Sequence, residues 1–155
     1  MTKPSSALMD SKALAWLHAK GRDNVLKLVL SQVEVYVSAL SIYELLSAMS
    51  YYGLGDPKTL SGVMEKIYHI LYPDREVIAM AASINADLMH KGVIHNDTDI
   101  IVVATALRHG LPLITADPDR YSIFKPYGLV VYRLDKLVKD LEEELQARIM
   151  EERVH

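Results

Sequence analysis

The stretch DTDIIVVATALRHGLPLIT, from Asp97 to Thr115, restricts the possible folds of this chain more than any other segment. Its four consecutive β-branched residues, IIVV, favour a strand by propensity. However, the thirteen residues from Asp97 to His109 exceed the length of a typical strand. Gly110 and Pro112 follow, as a C′ glycine and a proline commonly follow a helix. We therefore predict a buried helix from Asp97 to His109 and a short strand that ends at Thr115.

The rest of the chain alternates between strand-like and helix-like segments. The segments SALM, VEVYVS and LVVY are predicted strands. Helices are predicted for SKALAWLHAK up to Gly21, for Ser41 to Gly53, for KTLSGVMEKIYHILY, for REVIAMAASINADLMHKG and for a charged segment from Asp135. Such alternation predicts a three-layer α/β/α fold around a central, mostly parallel β-sheet.

Length and composition limit the classes of protein. A chain of 155 residues that is 50% hydrophobic has the size of one soluble domain. We predict a main domain over residues 1–134 and an acidic helix over residues 135–155 that packs on it or extends from it. The chain contains no cysteine, which excludes disulfides and thiolate chemistry. The absence of a signal-peptide pattern and of a long apolar segment predicts a cytoplasmic protein without a membrane anchor.

The charge distribution gives no general nucleic-acid-binding field. The net charge is −3, and residues 135–155 contribute all of it with seven acidic and four basic residues. The first 134 residues carry equal numbers of acidic and basic residues. A nucleic-acid partner would therefore have to be bound by a local group of side chains.

Four acidic residues are predicted to meet at one edge of the sheet. A helix over residues 98–109 spans about 18 Å and a strand over residues 111–115 returns about 16 Å, so Asp99 and Asp117 should lie close together. Asp10 follows the first predicted strand, and Glu44 lies in the first turn of the helix after the second predicted strand. Carboxyl ends of parallel strands share one edge, which is where open α/β sheets bind ligands.

Such a cluster predicts either bound protons or a cation, because four ionised carboxylates this close repel one another. Two carboxylates about 4 Å apart repel each other by roughly 4 kcal/mol at an effective dielectric constant near 20. With oxygen ligands alone, Mg²⁺ and Mn²⁺ are the natural cations, and they could support metal-assisted hydrolysis of a phosphodiester. Each acid also has an ordinary explanation. Asp10 could cap a helix, Glu44 could complete a capping box with Ser41, and Asp117 could belong to a turn.

These motifs resemble the PIN domain nucleases, and most closely the VapC-type toxin ribonucleases. The resemblance covers residues 6–133 and rests on ALMDS, VSALSIYELL, DIIVVATALRHGLPLIT and TADPDRY, in that order. It implies that Asp10, Glu44, Asp99 and Asp117 are the catalytic, metal-binding acids and that Thr115 is the threonine of a T-x-D motif. It also implies cleavage of single-stranded RNA with Mg²⁺ or Mn²⁺, dimerisation, and inhibition by a VapB-type antitoxin.

Further residues are candidates for substrate or supporting contacts. Ser11, Thr115, Asp119 and Arg120 fall beside the predicted acids, and Lys12 stands where the family usually has a small polar residue. Lys125 is a candidate phosphate contact, and His95 is interpreted as a loop residue. The helical spacing of three tyrosines predicts packing in the core or in a dimer rather than base stacking (Tyr43, Tyr51, Tyr52).

Two rival functions remain open at this point. Lys12 is compatible with a PIN-like binding module that has lost catalysis. A receiver or phosphoryl-transfer domain also gathers acids at strand ends, but it would need paired acids near the start of the chain, where Asp10 stands alone. Two arrangements would count against a nuclease, namely an acid of this group at the opposite edge of the sheet or one buried against an arginine.

Overall fold

The computed structural model describes residues 3–154. Its strands are β1 (Ser6–Met9), β2 (Glu34–Ser38), β3 (His69–Leu71), β4 (Leu113–Thr115) and β5 (Val131–Arg133). Its α-helices are α1 (Ser11–Leu17), α2 (Asp23–Gln32), α3 (Ala39–Tyr51), α4 (Pro57–Ile67), α5 (Arg75–His90), α6 (Asp97–His109) and α7 (Leu134–Val154). A 3-10 helix over Pro118–Tyr127 connects β4 to β5.

The strands form one parallel sheet in the order β3-β2-β1-β4-β5. Alternate strand residues face opposite layers, so Ala7 and Met9 of β1 join one core cluster while Leu8 joins the other. The first cluster includes buried residues of α1, α3 and α7, and the second includes those of α5 and α6. The predicted three-layer α/β/α architecture is confirmed.

Helix α6 and strand β4 form within the segment from Asp97 to Thr115, as its sequence predicts. Asn96 caps α6 by accepting hydrogen bonds from the backbone N–H groups of Thr98 (2.8 Å) and Asp99 (3.2 Å). Gly110 ends the helix with a left-handed φ of 63°, a conformation that side chains with a Cβ rarely adopt. The strand that follows starts at Leu113, two residues later than expected.

Several predicted boundaries were wrong. Helix α3 begins at Ala39, because the hydroxyl of Ser38 accepts a hydrogen bond from the backbone N–H of Leu40 and caps the helix. The capping box of Ser41 and Glu44 therefore does not form, and Ser41 is buried instead. The end of the predicted helix KTLSGVMEKIYHILY is strand β3, which pairs with β2 at the edge of the sheet. Sequence reasoning did not identify α2, and α1 ends before Gly21.

The first half of α7 packs against the body of the protein. Leu134, Leu137, Val138 and Leu141 are buried in the first core cluster, whereas Leu145 and later apolar residues are exposed. The first half of α7 is thus part of the first core cluster, and the second half is exposed. Among residues 3–154, no helix combines the length and the apolar character needed to cross a bilayer.

Candidate active site at the carboxyl edge of the sheet

The four predicted acids come from four separate segments that converge on the carboxyl edge of the sheet. Asp10 directly follows β1, and Asp117 lies two residues after β4. Glu44 is in the second turn of α3, which follows β2, and Asp99 is in the first turn of α6, which leads into β4. The parallel sheet brings these positions together because β2, β1 and β4 are neighbours and end on the same side.

Asp10 is buried, with 2% of its surface exposed, and both of its carboxylate oxygens accept hydrogen bonds. Oδ1 accepts from the backbone N–H of Ala13 at 2.9 Å, so Asp10 also caps α1. Oδ2 accepts from the hydroxyls of Thr115 at 2.6 Å and Tyr121 at 3.0 Å. The capping explanation and the site explanation therefore both apply to this residue.

Thr115 connects Asp10 to Asp117. Its hydroxyl donates to Asp10 and accepts a hydrogen bond from the backbone N–H of Asp117 at 3.0 Å. The Nζ of Lys12 lies 3.2 Å from Oδ2 of Asp117, and both side chains are about half exposed. The residue by which this chain departs from the family pattern thus contacts one of the four acids.

Asp99 is buried against an arginine. Nε of Arg120 donates to Oδ2 and Nη2 donates to Oδ1, each at 2.6 Å, and the Asp99 side chain is only 5% exposed. Nε2 of His95 lies 3.1 Å from the same Oδ2, and its ring packs edge-on against Phe124. His95 lies in the loop before α6, as the sequence suggested, and is also a neighbour of the site.

The pKa values of Asp10 and Glu44 respond to the same neighbouring charges. Burial raises the pKa of Asp10, and hydrogen bonds from Thr115, Ala13 and Tyr121 and the charge of Arg120 offset part of that shift. Burial also raises the pKa of Glu44, which Arg120 lowers and the charges of Asp99 and Asp10 raise. Ser11 donates a hydrogen bond to Oε1 of Glu44 at 3.4 Å. Three acids are thus within interaction range of a single guanidinium.

The chemistry of the donors fits a hard divalent cation, because all four acids offer oxygen ligands. However, the side chains of these acids are not arranged to bind such a cation together. Across residues 3–154, no three His, Cys, Asp or Glu side chains are placed to hold a metal ion together. Both oxygens of Asp99 already accept from Arg120, so an ion at this position requires that guanidinium to move.

The remaining predicted candidates lie in different surroundings. Asp119 and Lys125 are exposed on the 3-10 helix. The three tyrosines do not pack in the core, because they are 71% to 84% exposed (Tyr43, Tyr51, Tyr52). Tyr121 was missed, although it lies in the TADPDRY motif and donates to Asp10. A buried tyrosine hydroxyl needs a partner, but sequence alone did not show that Tyr121 is buried.

Comparison with known proteins identifies the family. The sequence model of the PIN domain matches residues 7–125. A VapC ribonuclease of Pyrococcus furiosus is 33% identical over 142 residues, which cover 92% of this chain and 95% of that protein. The family match includes Asp10, Glu44, Asp99 and Asp117.

Solved structures share the fold. VapBC-1 from nontypeable Haemophilus influenzae superposes with a TM-score of 0.67 and 17% identity, over 84% of this chain and 98% of that one. VapBC-5 of Mycobacterium tuberculosis, a member of the VapBC family of toxin-antitoxin systems, gives 0.56 and 16%, over 84% and 98%. The contact of Asp99 with Arg120 was expected to count against a nuclease, but the 33% identity to a VapC ribonuclease supports one. By the sequence matches, this chain belongs to the PIN domain family, as a VapC-type member.

Proposed function

We propose that this chain is a metal-dependent endoribonuclease that cleaves single-stranded RNA and serves as the toxin of a toxin-antitoxin pair. The observation that carries the proposal is the convergence of acids on one edge of the sheet, where Asp10, Glu44 and Asp99 all interact with Arg120. The 33% identity to a VapC ribonuclease along almost the whole chain supports this chemistry for the edge.

In this proposal, Asp10, Asp99 and Asp117 hold Mg²⁺ or Mn²⁺, and Glu44 supports a second ion or the attacking water. When bound, such an ion supplies activation of the water and neutralisation of the charge that develops on the phosphodiester. Thr115 orients Asp10 and the backbone at Asp117 through its two hydrogen bonds. Ser11 orients Glu44 by its weaker contact of 3.4 Å.

The RNA would be bound by a local group of basic side chains, since the chain as a whole has a net charge of −3. Lys12 and Arg120 are the cations that contact the acids, and Lys125 is exposed on the same 3-10 helix as Arg120 and Asp119. Phosphate contacts from lysine and arginine position a nucleic acid without reading its sequence. We therefore assign Lys12 and Arg120 to the RNA backbone rather than to base recognition.

The proposed partner is a VapB-type antitoxin, and the proposed assembly is a homodimer or a higher homo-oligomer in the cytoplasm. The shared fold with VapBC proteins supports an antitoxin partner. The exposed tyrosines of α3 support a macromolecular contact on this helix, since large exposed aromatic patches commonly mark interfaces. The alternative is a PIN-like binding module without catalysis, because Lys12 forms an ion pair with Asp117, one of the proposed metal ligands.

The test is RNA cleavage by Asp10→Asn and Asp117→Asn variants in the presence of Mn²⁺. Either substitution should reduce cleavage of a single-stranded RNA by at least about 100-fold, since it removes a charged oxygen ligand. Circular dichroism should show an unchanged fold. Asp23→Asn, an exposed residue in the first turn of α2, is the matched control and should cleave like the original chain. Cleavage that persists in both site variants would favour the inactive-module alternative.

A further inference from the structure

The acidic edge of the sheet contains its own cation. Arg120 binds Asp99 with two parallel hydrogen bonds of 2.6 Å, the fork geometry in which a guanidinium matches a carboxylate best. The pair is largely shielded from water, with 5% of the Asp99 side chain and 21% of the Arg120 side chain exposed. It is therefore not a surface ion pair of the kind that contributes little.

The charge of Arg120 reaches beyond Asp99. It offsets part of the rise that burial causes in the pKa of Asp10 and of Glu44, and the neighbouring acids in turn raise the pKa of Arg120, so the guanidinium stays protonated. One side chain thus neutralises Asp99 and weakly favours the charged forms of Asp10 and Glu44, which come from two other segments of the chain. That is the electrostatic task which a divalent cation would perform at the same edge.

The second cation of the site is held less firmly. Nζ of Lys12 makes one contact with Oδ2 of Asp117, at 3.2 Å, and the two side chains are 51% and 42% exposed. A lysine in this setting exchanges readily with water and salt. Arg120 is consequently the cation whose removal changes the site most.

We infer that Arg120 is a resident counter-ion that has to leave Asp99 before a divalent cation is held there, and that this residue sets the metal affinity of the site. The inference rests on the proposed function, in which these acids are the metal ligands. Both oxygens of Asp99 are occupied by Arg120, and a divalent ion beside a bound guanidinium would be repelled by it. Metal and arginine therefore compete for one carboxylate.

The exchange has a consequence for substrate binding. Arg120 lies three residues after Asp117, so a guanidinium released from Asp99 remains at the same edge of the sheet. A free guanidinium is a bidentate donor for phosphate oxygens. An RNA phosphate that binds the released arginine would stabilise the metal-bound state, and by linkage the metal would strengthen RNA binding.

Calorimetric titration with Mn²⁺ tests the competition without relying on activity. Arg120→Gln removes the competing charge and should bind Mn²⁺ about tenfold more tightly than the original chain, or better. Arg108→Gln is the matched control, because Arg108 is an exposed arginine in the last turn of the same helix that carries Asp99. This control makes the same charge change and should alter the affinity less than about twofold.

Thermal unfolding provides a second readout. Without metal, Arg120→Gln should unfold at a lower temperature than the original chain, because Asp99 is left buried without its partner. Saturating Mn²⁺ should then raise the unfolding temperature of Arg120→Gln by more than it raises that of the original chain. If the glutamine variant does not fold, Arg120→Lys keeps the charge without the fork and should bind Mn²⁺ more tightly than the original chain.

Unchanged or weaker Mn²⁺ binding by the folded Arg120 variant would overturn the inference. The proposed function is tested separately, by titrating the Asp10→Asn variant with Mn²⁺. If the original chain binds Mn²⁺ and Asp10→Asn does not, the proposed metal site is supported whatever the Mn²⁺ affinity of the Arg120 variants is. If the original chain and Asp10→Asn bind Mn²⁺ alike, the proposed ligand set fails, even where Arg120→Gln changes the affinity.

Discussion

Asp10 combines a structural and a chemical task in one carboxylate. It caps α1 through Ala13 and accepts hydrogen bonds from Thr115 and Tyr121, yet it is almost completely buried. The three hydrogen bonds stabilise the charged form, but burial is the larger effect and raises the pKa. Burial of a carboxylate with this balance lowers the stability of the fold, and the carboxylate is well suited to receive a cation.

The raised pKa of Asp10 predicts how stability depends on pH. In the unfolded chain Asp10 loses its proton near the ordinary value of 3.8, whereas in the folded chain it does so at higher pH. Between the two values the folded state binds more protons, so the contribution of Asp10 to the free energy of unfolding falls as pH rises and levels off above the folded pKa.

Urea unfolding of the original chain and of Asp10→Asn, compared from about pH 3 to about pH 8, isolates this contribution. The free energy of unfolding of the original chain minus that of the variant should decrease with rising pH. Saturating Mg²⁺ should remove part of the decrease, because it binds only the folded, ionised site. A difference that increases with pH would mean that hydrogen bonds, not burial, dominate the pKa of Asp10.

Helix α6 is the element on which the position of Asp99 depends. Asn96 holds its first turn by accepting from the backbone N–H groups of Thr98 and Asp99. Asn96→Ala should lower the free energy of unfolding by about 1 kcal/mol and should also reduce RNA cleavage, because the first turn carries Asp99. Asp56→Ala removes a comparable cap from α4, which carries none of the four acids.

The two cap variants therefore separate stability from activity. Both should unfold at lower urea concentration, but only Asn96→Ala should cleave RNA more slowly than the original chain at a temperature where both are folded. Equal activity of the two variants would show that Asp99 does not need an ordered first turn of α6.

Sequence patterns predicted the elements whose signals are local and strong. Helix α6 was predicted from its length and its Gly110 stop, and the edge location of the acids followed from the order of strands and helices. Strand β3 was missed because HIL is short and continues a helical pattern, so only pairing with β2 makes it a strand. The start of α3 was misplaced because Ser38 and Ser41 are both plausible caps.

Side-chain partnership was the part of the site that sequence could not predict. Nothing in the spacing of TADPDRY indicates that Arg120 turns back to bind Asp99, or that Tyr121 is buried and donates to Asp10. Both contacts depend on how the 3-10 helix after β4 folds over the edge of the sheet. The sequence pattern predicted which acids lie at the edge, but tertiary packing determines which side chains contact them.

At the scale of the whole molecule, the parallel sheet brings all four acids to one edge. All five strands run parallel, and β1, which precedes Asp10, lies in the middle between β2 and β4. Two core clusters, one on each face, fix the helices that carry Glu44 and Asp99. The first half of α7 belongs to the same packing, and the division into a domain over residues 1–134 and a helix over residues 135–155 stays a prediction.

The central claim is that the acids at this edge share a divalent cation. Anomalous diffraction from a crystal soaked in Mn²⁺ measures this directly. We predict a manganese peak about 2.0–2.5 Å from carboxylate oxygens of Asp10, Asp99 and Asp117, with Arg120 moved away from Asp99. A crystal without a peak at this edge, or with manganese bound elsewhere while Arg120 still binds Asp99, would contradict it.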